Sequence, residues 1–216
     1  MKLPRELGDL PFGDSLTAHE GDLGHEGHYD GVLFSGLTFT GASADHARFV
    51  ECAFTDVTLD DVALRKARLS DLWLRDVRLL SADLAGSSWL DSTFLACSGA
   101  GIQAFDSGFH RVVFSECKLD SWNFRGATLR NVTFDRCLLR DTDFGGATLK
   151  QVTFPGCVLT RADFSRVTLD RVDFRGAELD ITAGYESLRG AIMSTPQLIS
   201  IAPVLAQQIG IQVKDS

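Results

Sequence analysis

A period of five residues runs through most of this 216-residue chain and constrains its fold more than any other feature. Counting in steps of five over residues 34–179 gives thirty positions, of which thirteen are Phe, thirteen are Leu and one is Trp89. The exceptions are Ala44, Gly99 and Ala104. Two residues before most of these positions stands a small Val, Ala, Cys, Ser or Thr. Neither the 3.6-residue period of a helix nor the two-residue period of a strand fits, so the chain must turn every five residues.

Residues twenty apart are chemically alike, which indicates that four five-residue sides close one coil. Stacked coils then need the same packing space at each level, so the large side chains are predicted to form ladders through the core. The clearest of these ladders contains Phe114, Phe134, Phe154 and Phe174. Gly99 and Ala104 leave thin layers, where we expect a bend or a softer coil.

The cysteines fall in the small-residue register. A column twenty residues apart comprises Cys97, Cys117, Cys137 and Cys157. Stacking at the coil spacing is compatible with a disulfide, and four thiolates in line could attract a metal. A linear column offers no tetrahedral geometry, however, and buried Cys behaves as a small apolar residue. We therefore expect this column to be structural packing.

The segments VTFDR, TDFGG and ADFSR resemble the pentapeptide repeat family, whose pattern is roughly A(D/N)LXX. The resemblance covers residues 32–181. It implies an all-β solenoid, a right-handed quadrilateral β-helix of about seven and a half coils spaced roughly 4.8 Å apart, without inserted loops. Residues 1–31 remain as an acidic N-terminal arm or cap, and residues 182–216 as a short C-terminal helical cap.

The C-terminal segment is predicted to be both a cap and a dimerisation module. Ser194 or Thr195 is the expected helix N-cap, and Pro203 should kink the helix or divide it in two. Its apolar positions exceed what a cap of this length can hide, which predicts a homodimer formed by paired caps. The interface residues predicted are Leu198, Ile201, Leu205 and Ile209. The alternative is a cap folded entirely onto its own last coil.

Composition and motifs argue against several classes of protein. The net charge of −8 disfavours direct nucleic-acid binding, and no apolar run is long enough to span a bilayer. Glu6 and Asp9 interrupt the start where a signal peptide would be apolar, so we expect a cytoplasmic protein. His19, His25 and His28 lie in a Gly-rich acidic segment that favours no helix, so we expect no metal site there. Because no catalytic or cofactor motif occurs and flat walls form no cleft, we expect no enzyme, cofactor or metal.

The outward-facing acids are the remaining candidates for function. Columns twenty residues apart carry Glu51, Asp71 and Asp91, with Asp56 and Asp76 on a second column and Asp60 and Asp61 nearby. An ordinary solvated wall is the alternative explanation. The repeat region sums to only −3, because His110, Arg130 and Lys150 form a basic column with Arg111 beside it.

Among pentapeptide repeat proteins, the chain looks most like the quinolone-resistance members. That resemblance implies a dimeric rod that mimics DNA and binds DNA gyrase or topoisomerase IV, giving resistance or self-immunity to quinolone-like or natural-product poisons. The seven acids named above would then face the topoisomerase. The alternative is a non-enzymatic protein-interaction scaffold with another partner.

Overall fold

The chain forms a β-solenoid of about eight turns built from parallel strands, followed by one C-terminal helix. The computed structural model describes residues 3–208 and 210–212. The expected solenoid is therefore confirmed. Four faces, numbered here in chain order, make up each coil, and the large residues of the five-residue period lie at the centre of each face on its inner side.

Three faces carry hydrogen-bonded sheets. Face 1 contains the strands Thr17–Ala18, Val32–Ser35, Ala53–Thr55, Trp73–Arg75, Thr93–Leu95, Val113–Ser115 and Thr133–Asp135, and then the pair Val172–Asp173 and Ala191–Ile192. Face 2 contains Thr38–Thr40, Thr58–Asp60, Arg78–Leu80, Ser98–Ala100, Lys118–Asp120, Leu138–Arg140, Val158–Asp163 and Glu178–Ala183. Face 4 contains His28–Asp30, Arg48–Val50, Arg68–Ser70, Ser88–Leu90, Gly108–His110, Thr128–Arg130, Thr148–Lys150 and Thr168–Asp170. Face 3 is joined by isolated bridges that run from Ser43 to Asp163.

A left-handed residue at each corner turns the chain. Every fifth residue from Gly31 to Gly176 has a φ between +48° and +82°. From Gly31 to Gln151, its N–H donates to a carbonyl of the next coil, as Asp71 N does to the Leu90 oxygen at 3.0 Å. Gly, Asp and Asn tolerate this conformation best, which explains why they recur at corners. Each five-residue repeat thus consists of three residues on a face, one left-handed residue at the corner, and one residue that leads into the next face.

Aromatic stacks fill the core. Phe134 lies parallel to Phe114 and Phe154, with ring centroids 4.9 and 5.0 Å away. Phe154 stacks in the same way on Phe174 at 5.0 Å. Rings on face 3 meet them edge-on, as Phe124 does Phe134 at 6.4 Å and 78°. Each ring therefore packs both along and across the solenoid.

The layer at Gly99 is filled rather than thin. Trp122 is only 1% exposed, and a Cβ on Gly99 would lie 2.5 Å from its Nε1 atom. Trp122 occupies a position where the repeat normally has a small residue. The expectation of a bend or softer coil at Gly99 therefore overlooked a large residue in the next coil.

The N-terminal segment is both a cap and an arm. Thr17–Ala18 pairs with the first strand of the repeat region, and His19 packs on Phe34 with centroids 4.5 Å apart. Residues 3–16, which include the 3-10 helices Leu7–Asp9 and Gly13–Ser15, lie against the outside of face 1. We call residues 3–16 the arm.

The C-terminal end is closed by a 3-10 helix, Tyr185–Ser187, and an α-helix, Thr195–Gln208. Ser194 is the N-cap: its N–H donates to Gln197 Oε1 at 2.8 Å, and Gln197 N donates to Ser194 Oγ at 3.5 Å. The Gln197 amide then donates to the carbonyls of Phe174 and Ala177 in the last coil. Among the described residues, no helix is long and apolar enough to cross a membrane.

Pro203 neither divides nor ends this helix, so the expected split is wrong. Proline removes the N–H that would bond to the carbonyl of Ile199, four residues earlier. Both Pro203 and Ile199 are exposed, so water can satisfy that carbonyl.

Candidate protein-interaction surface

Six of the seven candidate acids occupy left-handed corners. Three edges of the rod carry them: edge I joins faces 4 and 1, edge II joins faces 1 and 2, and edge III joins faces 2 and 3. They are Glu51, Asp71 and Asp91 on edge I, Asp56 and Asp76 on edge II, and Asp61 on edge III, with φ between +48° and +57°. Asp60 precedes Asp61 on face 2. The backbone therefore supplies a structural reason for Asp at these positions, which the sequence analysis missed.

Two of the candidate acids are already compensated. Asp91 accepts two hydrogen bonds from Arg111, at 2.5 and 2.6 Å. These bonds hold the pKa of Asp91 below its usual value. Asp76 accepts from Arg75 Nε at 3.1 Å. Neither carboxylate is free for a partner in this arrangement.

The other five candidates, Glu51, Asp56, Asp60, Asp61 and Asp71, form no ion pair within the described part of the chain. Four of them belong to a single coil, and Asp71 lies one coil further along edge I. Burial, together with the charge of Asp91, raises the pKa of Asp71 above its usual value. These five unpaired candidates thus lie near the N-terminal end of the rod.

The arm adds its own acids to this region. It covers the outward-facing Trp73, which is 1% exposed and whose Nε1 donates to the Pro4 oxygen at 3.2 Å. Arg75 Nη1 donates to the Arg5 oxygen at 3.1 Å, and Arg5 pairs with Glu116 on edge II at 3.0 Å. The arm therefore lies on face 1, between the two acidic edges.

We call the combined surface the acidic band: Glu6, Asp14, Glu51, Asp56, Asp60, Asp61 and Asp71. A feature of the sequence indicates that a segment covers face 1. Outward positions of the repeat are normally polar, yet face 1 carries Ala53, Trp73 and Leu95 there. Leu3, Leu7, Leu10 and Leu16 of the N-terminal segment pack on them. Three apolar outward residues in successive coils indicate a segment that covers them.

Charges further along the rod are largely neutralised by pairing between coils. Arg111, Arg136 and Arg161 each pair with an acid twenty residues earlier: Asp91, Glu116 and Asp141 respectively. Each pair stacks an Arg directly over an acid of the previous coil. These three pairs lie beyond the acidic band, while Arg65 pairs with Asp45 in the same way on face 3.

The C-terminal helix presents a second exposed surface. Leu198, which is 52% exposed, and Leu205 line a groove of about 350 Å³ with Leu188 and Ala191. Ile201 is only 6% exposed and also lines this groove. Ile209 lies outside the described residues.

The cysteine column contributes packing rather than reactive thiols. All five cysteines are free and buried. Each thiol donates to a carbonyl 23 residues earlier, as Cys137 and Cys157 do to Phe114 and Phe134 at 3.3 and 3.0 Å. Burial raises the pKa of Cys52 to about 11. Over residues 3–208 and 210–212, no group of three or more His, Cys, Asp or Glu side chains is arranged to hold a metal.

Comparison with known proteins identifies similar folds. Residues 33–71 match the profile of the pentapeptide repeats, and residues 107–183 match that of the pentapeptide repeat region. No curated protein sequence matches the chain.

Among solved structures, a trypsin-treated variant of QnrB1, a plasmid-mediated fluoroquinolone resistance protein, superposes with a TM-score of 0.59 at 20% identity, covering 93% of this chain and 99% of that chain. Full-length QnrB1 gives 0.49 at 18% identity, covering 83% and 100% of the two chains. HetL, a pentapeptide repeat protein involved in heterocyst differentiation regulation in the cyanobacterium Nostoc sp. strain PCC 7120, gives 0.39 at 20% identity, covering 78% and 90%.

Proposed function

The chain belongs to the pentapeptide repeat family, and we propose that it is a non-enzymatic DNA mimic that binds DNA gyrase or topoisomerase IV. In this role it gives resistance or self-immunity to quinolone-like or natural-product topoisomerase poisons. The acidic band carries the proposal. A fold similar to that of QnrB1 supports it.

The acidic band has the properties that a DNA-binding groove recognises. Five of its carboxylates project from rigid coils of the solenoid, and the one-coil step from Glu51 to Asp71 corresponds to roughly 4.8 Å along the rod. Because five of its acids come from the repeat and carry no ion pair within the described residues, their field reaches a basic partner without first breaking internal contacts. Such a field speeds association and fixes the orientation of binding. We place the topoisomerase on face 1, over the arm, on edges I and II, and across face 2 as far as Asp60 and Asp61 on edge III.

A supercoiling assay with purified gyrase, with and without a quinolone, tests this function. The wild-type chain is expected to inhibit supercoiling in excess or to protect the enzyme from the drug. Asp56→Asn with Asp71→Asn removes two charges from the acidic band while keeping a residue that accepts the left-handed corner. The affinity for gyrase should fall about tenfold, which corresponds to about 1.4 kcal/mol.

The control is Asp106→Asn with Asp141→Asn, which removes the same number of charges and also releases Arg161 from its pair with Asp141. Both residues are left-handed corners with φ of +55° and +52°, and both lie outside the acidic band. This pair should leave gyrase binding within about twofold of wild type. Neither inhibition nor protection at a large molar excess would remove the gyrase proposal and favour a scaffold for another protein.

We also propose that the chain is a homodimer through its C-terminal helix. Four of the six exposed large apolar side chains in the described residues lie in or beside this helix, within the C-terminal segment: Ile192, Leu198, Ile199 and Ile211. A two-fold pairing would cover the groove lined by Leu198 and Leu205 and place identical patches together. Ile199, 67% exposed, joins the predicted interface, and Ile201 lines the groove at its base.

Light scattering coupled to size exclusion tests the dimer. The wild-type chain should elute with twice the monomer mass at micromolar concentration, and Leu198→Glu should convert it to a monomer. Leu138→Glu is the control, because Leu138 is similarly exposed but lies on face 2. A monomeric wild type, or a dimer that survives Leu198→Glu, would contradict the proposed interface.

A further inference from the structure

Three basic residues are stacked in register on the C-terminal half of face 4. The strand pairing aligns His110 with Arg130 and Arg130 with Lys150. The spacing between coils places the backbones of successive members of this row roughly 4.8 Å apart. Several columns stack Arg over an acid, as in Asp91 with Arg111, whereas face 4 also aligns Arg48 with Arg68 in its N-terminal half. This row likewise places basic residues next to one another, and it ends where Lys150 is aligned with Asp170.

The corner residues beside the row are amides where acids would fit equally well. Asn131 and Gln151 lie on edge I with φ of +53° and +54°. Asp71 and Asp91 occupy the same edge in the preceding coils with nearly the same conformation. An Asp at either corner would neutralise the neighbouring cations. The amides instead supply further N–H donors.

The local charge balance is positive. Around the row stand four Arg or Lys side chains and two Asp side chains: Arg111, Arg130, Lys150 and Arg171 against Asp91 and Asp170. Asp170 lies 3.4 Å from Lys150 Nζ and 3.1 Å from Arg171 Nε, and Asp91 is held by Arg111. Arg130 is exposed and has no ion pair within the described residues. It is thus a guanidinium available to an external anion.

These residues enclose a shallow depression of about 170 Å³ lined by His110, Arg130, Asn131, Lys150 and Gln151. Its volume equals that of about six water molecules, at roughly 30 Å³ each, which accommodates one phosphate group. A guanidinium, an ammonium and two amides from two successive coils line it, together with His110 of the coil before. Donors arranged around a point suit a tetrahedral oxyanion with several acceptor oxygens.

We propose that His110, Arg130, Asn131, Lys150 and Gln151 form a phosphate-binding site on the edge between face 4 and face 1. The site is independent of the acidic band, which lies in the N-terminal coils. Its phosphate comes either from a small phosphorylated molecule or from a nucleic-acid backbone. The net charge of −8 opposes tight binding of long DNA, so the small molecule is the expected source.

Two probes on the full-length chain distinguish these sources: pyrophosphate by isothermal titration calorimetry, and a short labelled DNA duplex by fluorescence anisotropy, both at about 50 mM salt. Saturable binding of pyrophosphate alone assigns a small phosphorylated molecule. Binding of both probes, in competition with each other, assigns the DNA backbone as a second phosphate source. If only the duplex binds and Asn131→Asp abolishes that binding, the DNA backbone is the only phosphate source. Failure of both probes to bind overturns the proposal.

Substitutions locate the binding. Arg130→Gln should weaken it about tenfold, the loss expected for a charge-assisted hydrogen bond. Asn131→Asp keeps the corner conformation and places a carboxylate in the depression, so it should abolish binding. Arg140→Gln is the control, because Arg140 is the last residue of the equivalent strand on face 2. Wild-type affinity in both Arg130→Gln and Asn131→Asp would overturn the proposed site.

Discussion

Replacing Phe134 by alanine is expected to lower the free energy of unfolding by about 3–5 kcal/mol. The ring is fully buried and stacks between Phe114 and Phe154 at 4.9 and 5.0 Å. The sheet hydrogen bonds on face 1 fix the spacing of the coils above and below it. Because those coils cannot close together, the space left by the ring stays open as a cavity. The loss is a large share of the roughly 5–15 kcal/mol that stabilises a typical domain.

Urea denaturation followed by circular dichroism measures this loss. Cys137→Ala is the control, because Cys137 is equally buried in the same coil but loses one sulfur atom and a weak hydrogen bond to the Phe114 oxygen at 3.3 Å. It should cost about 1 kcal/mol. If Cys137→Ala destabilised the chain as much as Phe134→Ala, the cysteine column would have a role beyond packing.

The solenoid could be predicted from sequence because its period is unusual and uninterrupted. A repeat of five with alternating small and large inward residues leaves few ways to close a core, and similarity between residues twenty apart fixes four sides to a coil. Reasoning from the ladders failed where a residue at a large-residue position contacts one at a small-residue position of the next coil. Gly99 seemed to leave a gap because its partner, Trp122, stands 23 residues away at a position reserved for small residues.

The candidate site was only partly predictable. The acidic columns followed from the twenty-residue stacking, but their left-handed corners did not, since φ is not visible in the sequence. Compensation of Asp91 by Arg111 followed from the same stacking and was overlooked. The apolar outward residues of face 1 marked the face that the arm covers, but the register of the arm could not be derived, because a segment without the period has no fixed register on the solenoid. The leucines of the arm pack on Trp73 and Leu95, whose side chains lie on the outer surface of face 1.

The prediction that Pro203 would divide the helix failed for a different reason, and a kink stays a prediction. A proline inside a helix is costly when the freed carbonyl is buried, and the sequence alone does not say which carbonyls face water. Here the cap is anchored by Ser194 and Gln197 at its start and by Ile201 one turn later. These tertiary contacts outweigh the local cost of the proline.

Gly99→Leu is expected to destabilise the chain by about 3 kcal/mol or more, although it restores the ladder's usual residue. Gly99 lies in register between Leu79 and Leu119. A Cβ there would approach three atoms of Trp122 to 2.5–2.8 Å, before any further side-chain atom is added. Trp122 cannot move aside, because its indole is held by Phe124 at 5.4 Å and Phe114 at 6.0 Å.

A second substitution should reverse this effect. Trp122→Ala alone is expected to cost about 3–5 kcal/mol, since it empties a large space in the core. It also removes a buried Nε1 that has no hydrogen-bond partner within the described residues, which offsets part of the loss. In the double variant the leucine fills the space that the indole leaves, as at neighbouring levels of the ladder. Gly99→Leu with Trp122→Ala should therefore be more stable than either single variant, with a coupling energy of about 3 kcal/mol by urea denaturation. A double variant less stable than Trp122→Ala alone would show that the glycine serves the backbone rather than the indole.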